Sequence, residues 1–185
     1  IVRRDDLHPI GRAAIWARRA RMHAIQHQFP EALADFDRAI KLDERYDLAI
    51  ANRGGTYRLL GKYPEALADF NRAIELDNTY DWAIAKRGET YRLMGMNAQA
   101  LADFDKLIEL APDDVTAYIA KAEIFLRQKK YDEALAALAS ALAVKNILSL
   151  ASGNTTEAMS RPSATSPGAW RKARCLSSRA ARTLG

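Results

Sequence analysis

Apolar and polar positions along the chain repeat every 34 residues. The segment YPEALADFNRAIELD, which begins at Tyr63, matches FPEALADFDRAIKLD, which begins at Phe29, at 12 of 15 positions. Weaker copies begin at Asn97 and Tyr131, so the four starts are evenly spaced. Within each copy the apolar residues fall at intervals of three and four, which places them on one face of a helix. Each copy therefore predicts an amphipathic helix.

A second helical segment precedes each of these helices. Asp47–Leu60 and Asp81–Met94 are identical at 10 of 14 positions, and a glycine able to end a helix follows each. The inward stripe predicted for the first segment consists of Ile50, Gly54, Tyr57 and Leu60. A helix pair of this length cannot bury its own apolar face, so the pattern predicts helix-turn-helix units that stack on one another. Gly54 and Gly88 are predicted to mark a close approach of two helices.

The 34-residue period, the Gly54/Tyr57 pair and the run Ala66, Phe70, Ala73 resemble the signature of the tetratricopeptide repeat family. The resemblance implies an all-α fold, a right-handed α-solenoid of four helix-turn-helix repeats. We expect the repeats at 13–46, 47–80, 81–114 and 115–146. Residues 1–12 are interpreted as the trailing edge of a preceding repeat or as an N-terminal extension. We expect the last helix over Asp132–Val144, followed by a poor cap and a disordered, basic tail at 147–185.

Composition changes this picture only near the C-terminal end. The net charge is +5, from 28 basic and 23 acidic residues. Six of the basic residues and no acidic ones follow Met159, so the remainder is close to neutral. These six are Arg161, Arg171, Lys172, Arg174, Arg179 and Arg182.

The compartment is predicted from what the sequence lacks. The sequence contains no stretch of 18 apolar residues, which a membrane-spanning helix would need. The single cysteine, Cys175, cannot form an internal disulfide. We therefore expect a cytoplasmic protein. The near-identical repeats indicate recent duplication, and we expect a bacterial source.

Candidate catalytic chemistry is sparse. His23 and His27 have an i, i+4 spacing that can bind a metal ion, but no acidic residue accompanies them at metalloprotease spacing. We interpret them as packed or partly exposed side chains. No histidine or asparagine partner can be argued for Cys175, and no Gly-rich phosphate loop is present. We predict no metal, no cofactor and no enzymatic activity.

Charged residues recur with the repeat period on both helices of the repeat. We interpret them as an internal ladder of Arg–Asp pairs, because a guanidinium can bond both oxygens of a carboxylate. Contact with a ligand is the alternative. The residues concerned are Arg19, Arg53, Arg87 and Lys121 on the first helices and Asp35, Asp69 and Asp103 on the second helices.

The resemblance implies that the first helices line the concave side of the solenoid, where a peptide would bind. Residues beside the packing stripe offer cationic and amide donors for a carboxylate and apolar surface for an anchor. Ordinary solvated helix faces are the alternative interpretation. The candidate groove residues are Arg18, Arg21, Tyr46, Leu48, Asn52, Arg58, Tyr80, Trp82, Lys86 and Arg92.

Two observations limit the chemistry of this groove. Glu89 and Glu123 lie on the same side and make the far end less basic. Some family members grip a C-terminal carboxylate with two lysines, two asparagines and an arginine. Only Asn52, with Lys86 as an approximate partner, matches that set here, so that specific activity is not predicted.

We predict a non-catalytic protein–protein interaction scaffold that binds a short peptide or partner helix, acidic or carboxylate-bearing, in its groove. One alternative is a homo-oligomer that assembles through the uncapped last repeat. A second is a regulatory arm of a larger signalling protein. The third and least favoured is nucleic-acid contact through the basic tail, with Trp170 as a stacking ring.

Overall fold

The computed structural model describes residues 9–151, with side chains for residues 11–147. The predicted tail beyond residue 151, including Cys175, Trp170 and the six tail cations, lies outside the described residues. The described range is all-α. Its helices are α1 (Pro9–Ile25), α2 (Phe29–Leu42), α3 (Asp47–Leu59), α4 (Tyr63–Leu76), α5 (Asp81–Leu93), α6 (Asn97–Leu110), α7 (Val115–Arg127) and α8 (Tyr131–Ala151).

The helices stack as the sequence predicts. Within the repeats α1 packs on α2, α3 on α4 and α5 on α6. Each of the second helices α2, α4 and α6 also contacts the first helix of the next repeat, and consecutive first helices α1, α3 and α5 touch. The chain is therefore an α-solenoid, in which the apolar face of each helix pair is buried by its neighbour.

The turns between the helices have residues of recurring type at the same positions of the repeat. Pro30 and Pro64 occupy the first turns of α2 and α4, where a missing N–H costs little. Gly61 has φ +72°, the left-handed conformation that favours glycine. His27 and Lys129 hold the same turn position in the first and last repeats with φ 59°. The left-handed conformation is thus a property of this turn, and the turn keeps it even where the residue is not glycine.

Close approach of the two helices of a repeat explains the recurrent small residue. A Cβ on Gly54 would lie 3.0 Å from Asp69 Cβ and 3.1 Å from the carbonyl oxygen of Ala66. A Cβ on Gly88 would meet Asp103 and Phe104 at 3.1 Å. These distances are shorter than ordinary van der Waals contact, so the predicted packing role of both glycines is confirmed.

One position of the predicted inward stripe is wrong. Leu60 is exposed, because α3 ends at Leu59 and Leu60 forms its C-cap. Thr56 takes the buried place instead, and its hydroxyl donates to the Asn52 carbonyl at 3.0 Å. That bond satisfies the hydroxyl inside the core.

The last helix is longer than the sequence predicted. The inner second helices end at Leu42, Leu76 and Leu110, but α8 continues for seven residues past the equivalent Val144. At the inner ends the chain reads Leu-Asp or Leu-Ala-Pro, whereas α8 continues through Lys145, Asn146 and the apolar Ile147. The aspartate or the proline that follows each inner helix is thus absent after Val144, where the helix goes on.

Candidate binding groove

The predicted ladder of Arg–Asp pairs is present in three repeats. Arg53 Nε lies 2.8 Å from Asp69 Oδ2, and Arg53 Nη2 lies 2.6 Å from Asp69 Oδ1. Arg87 binds Asp103 in the same way, at 2.9 and 2.6 Å. In the first repeat both oxygens of the buried Asp35 accept from the arginine at the equivalent position. These bidentate bonds tie the two helices of each repeat together.

The ladder cations of the second, third and fourth repeats also reach back to the preceding repeat, a second arm that sequence reasoning missed. Arg53 Nη1 donates to Asp37 at 2.7 Å, and Arg87 Nη1 donates to Asn71 at 2.8 Å. Lys121 bonds Asp105 in the same manner. The three acceptors recur 34 residues apart, a period visible in the sequence. One side chain thus joins three helices of two adjacent repeats.

These bonds shift the pKa values of the ladder. The hydrogen bonds that Arg53 donates to Asp69 raise the pKa of Arg53, against the effect of burial. Burial alone would raise the pKa of Asp35, but hydrogen bonds from Arg19 and Arg38 lower it below its ordinary range. Both shifts favour the charged forms, so the ladder is a set of ion pairs.

The first repeat holds two further features, a contact of arginines with Trp16 and the predicted histidine His23. The guanidinium carbons of Arg19 and Arg38 both lie over the Trp16 ring, 4.3 and 4.9 Å from its centroid. His23, the predicted metal-spaced histidine, lies on the inward aromatic position and bonds Gln28 through Nδ1 at 2.6 Å. Within the described residues no three side chains of His, Cys, Asp or Glu gather as a metal site would require.

Five of the predicted groove residues line one cavity between α1 and α3, which we call the N-terminal pocket. Its volume is about 360 Å³. Its lining comprises Ala14, Ile15, Ala17, Arg18, Arg21, Tyr46, Leu48 and Asn52. Asn52 donates to the carbonyl of Leu48 at 2.6 Å, so its amide N–H is already engaged. Arg18 and Arg21 are exposed, and no carboxylate within residues 11–147 forms an ion pair with either.

Two tyrosines, Tyr46 and Tyr80, lie close enough to Arg21 for its charge to affect their pKa values. Burial, followed by the charges of Asp47 and Asp81, raises the pKa of Tyr80 to about 12, and Arg21 opposes that shift. Burial and the charges of Asp47 and then Asp43 raise the pKa of Tyr46, again opposed by Arg21. Both phenols are therefore neutral hydrogen-bonding groups at physiological pH.

The predicted cations farther along the array are held in ion pairs. Arg58 on α3 approaches Glu89 on α5 at 3.6 Å, and Lys86 bonds the same glutamate at 2.8 Å. Arg92 on α5 approaches Glu123 on α7 at 3.2 Å. These side chains link consecutive first helices and compensate one another's charge.

Trp82 is packed into the wall of the solenoid. Its ring contacts Phe70 edge-on and stacks on Tyr80, with centroid distances of 6.2 Å in both cases. A Cβ on Gly55 would lie 3.1 Å from Trp82 Cη2. The indole therefore covers the glycine of the preceding first helix, and much of its surface is used in packing.

A second cavity lies between α5 and α7, and we call it the C-terminal pocket. Its volume is about 190 Å³. Apolar side chains form its floor and the Arg92–Glu123 pair its rim. The apolar lining comprises Ala85, Phe104, Leu107, Ala117, Ile119 and Ala120. Sequence reasoning missed this pocket, because its lining comes from three helices of two repeats.

At one position of the repeat, the charge of the side chain on the first helix changes from positive to negative along the array. The residues at this position are Arg21, Gly55, Glu89 and Glu123 from the first repeat to the last. The surface of the first helices is consequently cationic at the N-terminal pocket and charge-compensated with an apolar floor at the C-terminal pocket. The two ends of this surface therefore differ in charge.

Three family models match the chain. The model described as "TPR repeat" matches residues 54–95, and two models described as "Tetratricopeptide repeat" match residues 86–146 and 13–46. Together they account for most of the described residues. No curated protein matches the sequence significantly.

Solved structures share the fold. The crystal structure of MamA has a TM-score of 0.71 at 20% identity, over 74% of this chain and 80% of that one. The first TPR of Spaghetti (RPAP3), bound to the HSP90 peptide SRMEEVD, has a TM-score of 0.63 at 22% identity, over 65% and 95%. The second TPR of Spaghetti, bound to the same peptide, has a TM-score of 0.52 at 31% identity, over 53% and 91%. Within residues 9–151 no helix has the length and apolarity to cross a membrane.

Proposed function

Because the chain belongs to the tetratricopeptide repeat family, we propose that it is a non-catalytic scaffold that binds an extended peptide along its first helices. The single observation that carries the proposal is the N-terminal pocket, which gathers five predicted groove residues. Two of them are the cations Arg18 and Arg21, which form no ion pair with a carboxylate of residues 11–147. Peptide-bound structures of the same fold support this use of the groove.

We propose that the N-terminal pocket takes an anionic group, a terminal carboxylate or an acidic side chain. Arg18 and Arg21 are exposed and form no ion pair within residues 11–147, so a bound anion need not displace an internal partner. Asn52 and Tyr46 line the same cavity. Arginine binds a carboxylate through two parallel hydrogen bonds, which also orients the ligand.

The C-terminal pocket would take an apolar side chain of the same peptide. Its floor is apolar, and the glutamates at its rim are already paired with Arg58, Lys86 and Arg92. The two pockets are two repeats apart, which is about 16–20 Å at ~8–10 Å between packed helices. An extended chain covers about 3.3 Å per residue, so the anionic group and the apolar anchor should be separated by about five or six residues.

The test uses synthetic, fluorescently labelled peptides that carry an Asp-Asp pair and one leucine at increasing separations, in a Ser/Gly background. Anisotropy titrations should give the tightest binding at a separation of about five or six residues. Amidation of a C-terminal carboxylate placed at the anionic end should weaken binding. Affinity should also fall as salt is added, because exposed charges are screened.

Two matched variants locate the site. Arg18→Gln/Arg21→Gln should weaken binding at least about tenfold, or about 1.4 kcal/mol. Arg127→Gln/Lys130→Gln removes the same charge from exposed positions outside both pockets and should leave affinity unchanged. Equal binding by the two variants would reject the N-terminal pocket, and an absence of binding across the whole peptide series would reject the scaffold proposal.

A further inference from the structure

The last helix carries an uncovered apolar stripe. Tyr131, Leu135, Leu138 and Leu142 follow one another at intervals of four, three and four residues, which places them along one side of α8. Their exposed fractions are 60, 64, 41 and 59%. We call these four residues the α8 stripe.

The equivalent positions of the inner repeats are buried or half-buried. Leu138 is equivalent to Phe36, Phe70 and Phe104, which are at most 2% exposed. In those repeats the first helix of the next repeat packs against the second helix. The α8 stripe is thus the surface that receives a helix in every other repeat. Within the described residues, α8 continues straight to Ala151 instead of turning back to cover it.

A first helix of this repeat type would lack one of its inter-repeat bonds on the α8 stripe. Such a helix brings a ladder cation, which the inner repeats accept on Asp37, Asn71 and Asp105. The equivalent position on α8 is Ala139. Head-to-tail stacking of a second copy would place Arg19 of its α1 against this alanine. Arg19 would keep its own partner Asp35, but the bond that joins each inner repeat to the preceding one would be missing.

The surface is instead complementary to itself. We propose that the α8 stripe binds the α8 stripe of a second copy, in an antiparallel pair about a two-fold axis near Leu138 and Ala139. This register sets Leu135 opposite Leu142 of the partner subunit, and Leu138 against Ala139 of the partner subunit. The four-three-four spacing is the seam of two helices packed along their length. A large residue opposite a small one lets the helices approach closely, and a two-fold interface requires such self-complementarity.

Sedimentation velocity on the full chain across a wide range of concentration tests this assembly. The wild-type chain should form dimers as its concentration rises. Leu135→Glu/Leu142→Glu places like charges opposite one another and should raise the dimer dissociation constant at least about tenfold. Leu135→Lys/Leu142→Glu places opposite charges across the axis and should restore association relative to the first variant. All of these side chains are exposed in the single chain, so circular dichroism should show unchanged helix content.

The control is Leu93→Glu, which alters another exposed leucine, 49% exposed, at the end of α5. Its dimerisation should equal that of the wild type. A chain that stays monomeric at every concentration would overturn the proposal, whatever else covers the stripe. Dimers that survive Leu135→Glu/Leu142→Glu would also overturn it. Assemblies larger than dimers that disappear in Leu135→Glu/Leu142→Glu would reject the two-fold axis. If Leu135→Lys/Leu142→Glu associates no better than Leu135→Glu/Leu142→Glu, the antiparallel register is rejected.

Discussion

Removing Asp69 from the ladder should destabilise the solenoid far more than removing Asp37, although both carboxylates bind the same arginine. Asp69 is buried and holds Arg53 through two hydrogen bonds, whereas Asp37 holds it through one and its side chain is 58% exposed. The Arg53 side chain is only 19% exposed. Asp69→Ala therefore leaves a largely buried cation with one exposed partner.

The magnitudes follow from this difference in burial. Breaking a buried ion pair by removing one partner costs about 3–5 kcal/mol. Because Arg53 keeps its bond to Asp37, we expect Asp69→Ala to lie near the lower end, at about 3 kcal/mol. Asp37→Ala removes a pair with an exposed partner and should cost about 1 kcal/mol or less. Both variants keep a Cβ, so helix packing against Gly54 is retained.

Urea denaturation followed by circular dichroism at 222 nm measures both free energies of unfolding. The double variant Arg53→Met/Asp69→Leu should recover most of the loss, because replacing a whole buried pair with apolar residues is often close to neutral. Equal destabilisation by Asp69→Ala and Asp37→Ala would refute the reasoning. So would a double variant less stable than Asp69→Ala alone.

Two further predictions concern acid stability and helix approach. The pKa of Asp35 is lowered in the folded chain, so its charged form stabilises the fold above about pH 4. This stability is lost as the pH falls through the folded pKa. Asp35→Asn should therefore reduce the loss of melting temperature on the acid side. Gly54→Ala should destabilise the chain by about 1 kcal/mol, because overpacking of ~1–3 kcal/mol exceeds the helix gain of ~1 kcal/mol. Gly55→Ala meets only the edge of the Trp82 ring and should be neutral or stabilising in the same urea titrations, and a loss equal to that of Gly54→Ala would contradict this account.

The fold and the inner arm of the ladder could be predicted because both depend on positions within one repeat. The pairing of Arg53 with Asp69 joins two helices whose register the 34-residue period already fixes. The bond from Arg53 to Asp37 joins two repeats. The sequence indicates it only by an Asp or Asn that recurs every 34 residues, which does not by itself identify a partner in the next repeat. Leu60 was misplaced because an apolar residue at a helix end satisfies the periodicity as well as a buried one does.

The groove could be predicted only in part, for a similar reason. Arg18 and Arg21 lie together because they share one helix, and the structure leaves both without an ion-pair partner in the part of the chain that it describes. The state of Arg58 and Arg92 depends on glutamates one repeat farther along, so position on a helix face could not reveal their pairing.

The two-armed cations also give the array a direction of disassembly. The arginine links weaken at the fourth repeat, where Lys121 has one carboxylate partner and Ala137 replaces the aspartate of the earlier repeats. Fraying should therefore start at α7 and α8 and travel toward the N-terminus, with amide hydrogen exchange fastest at that end. A binding partner clamped at the opposite end would meet the part of the solenoid that opens last.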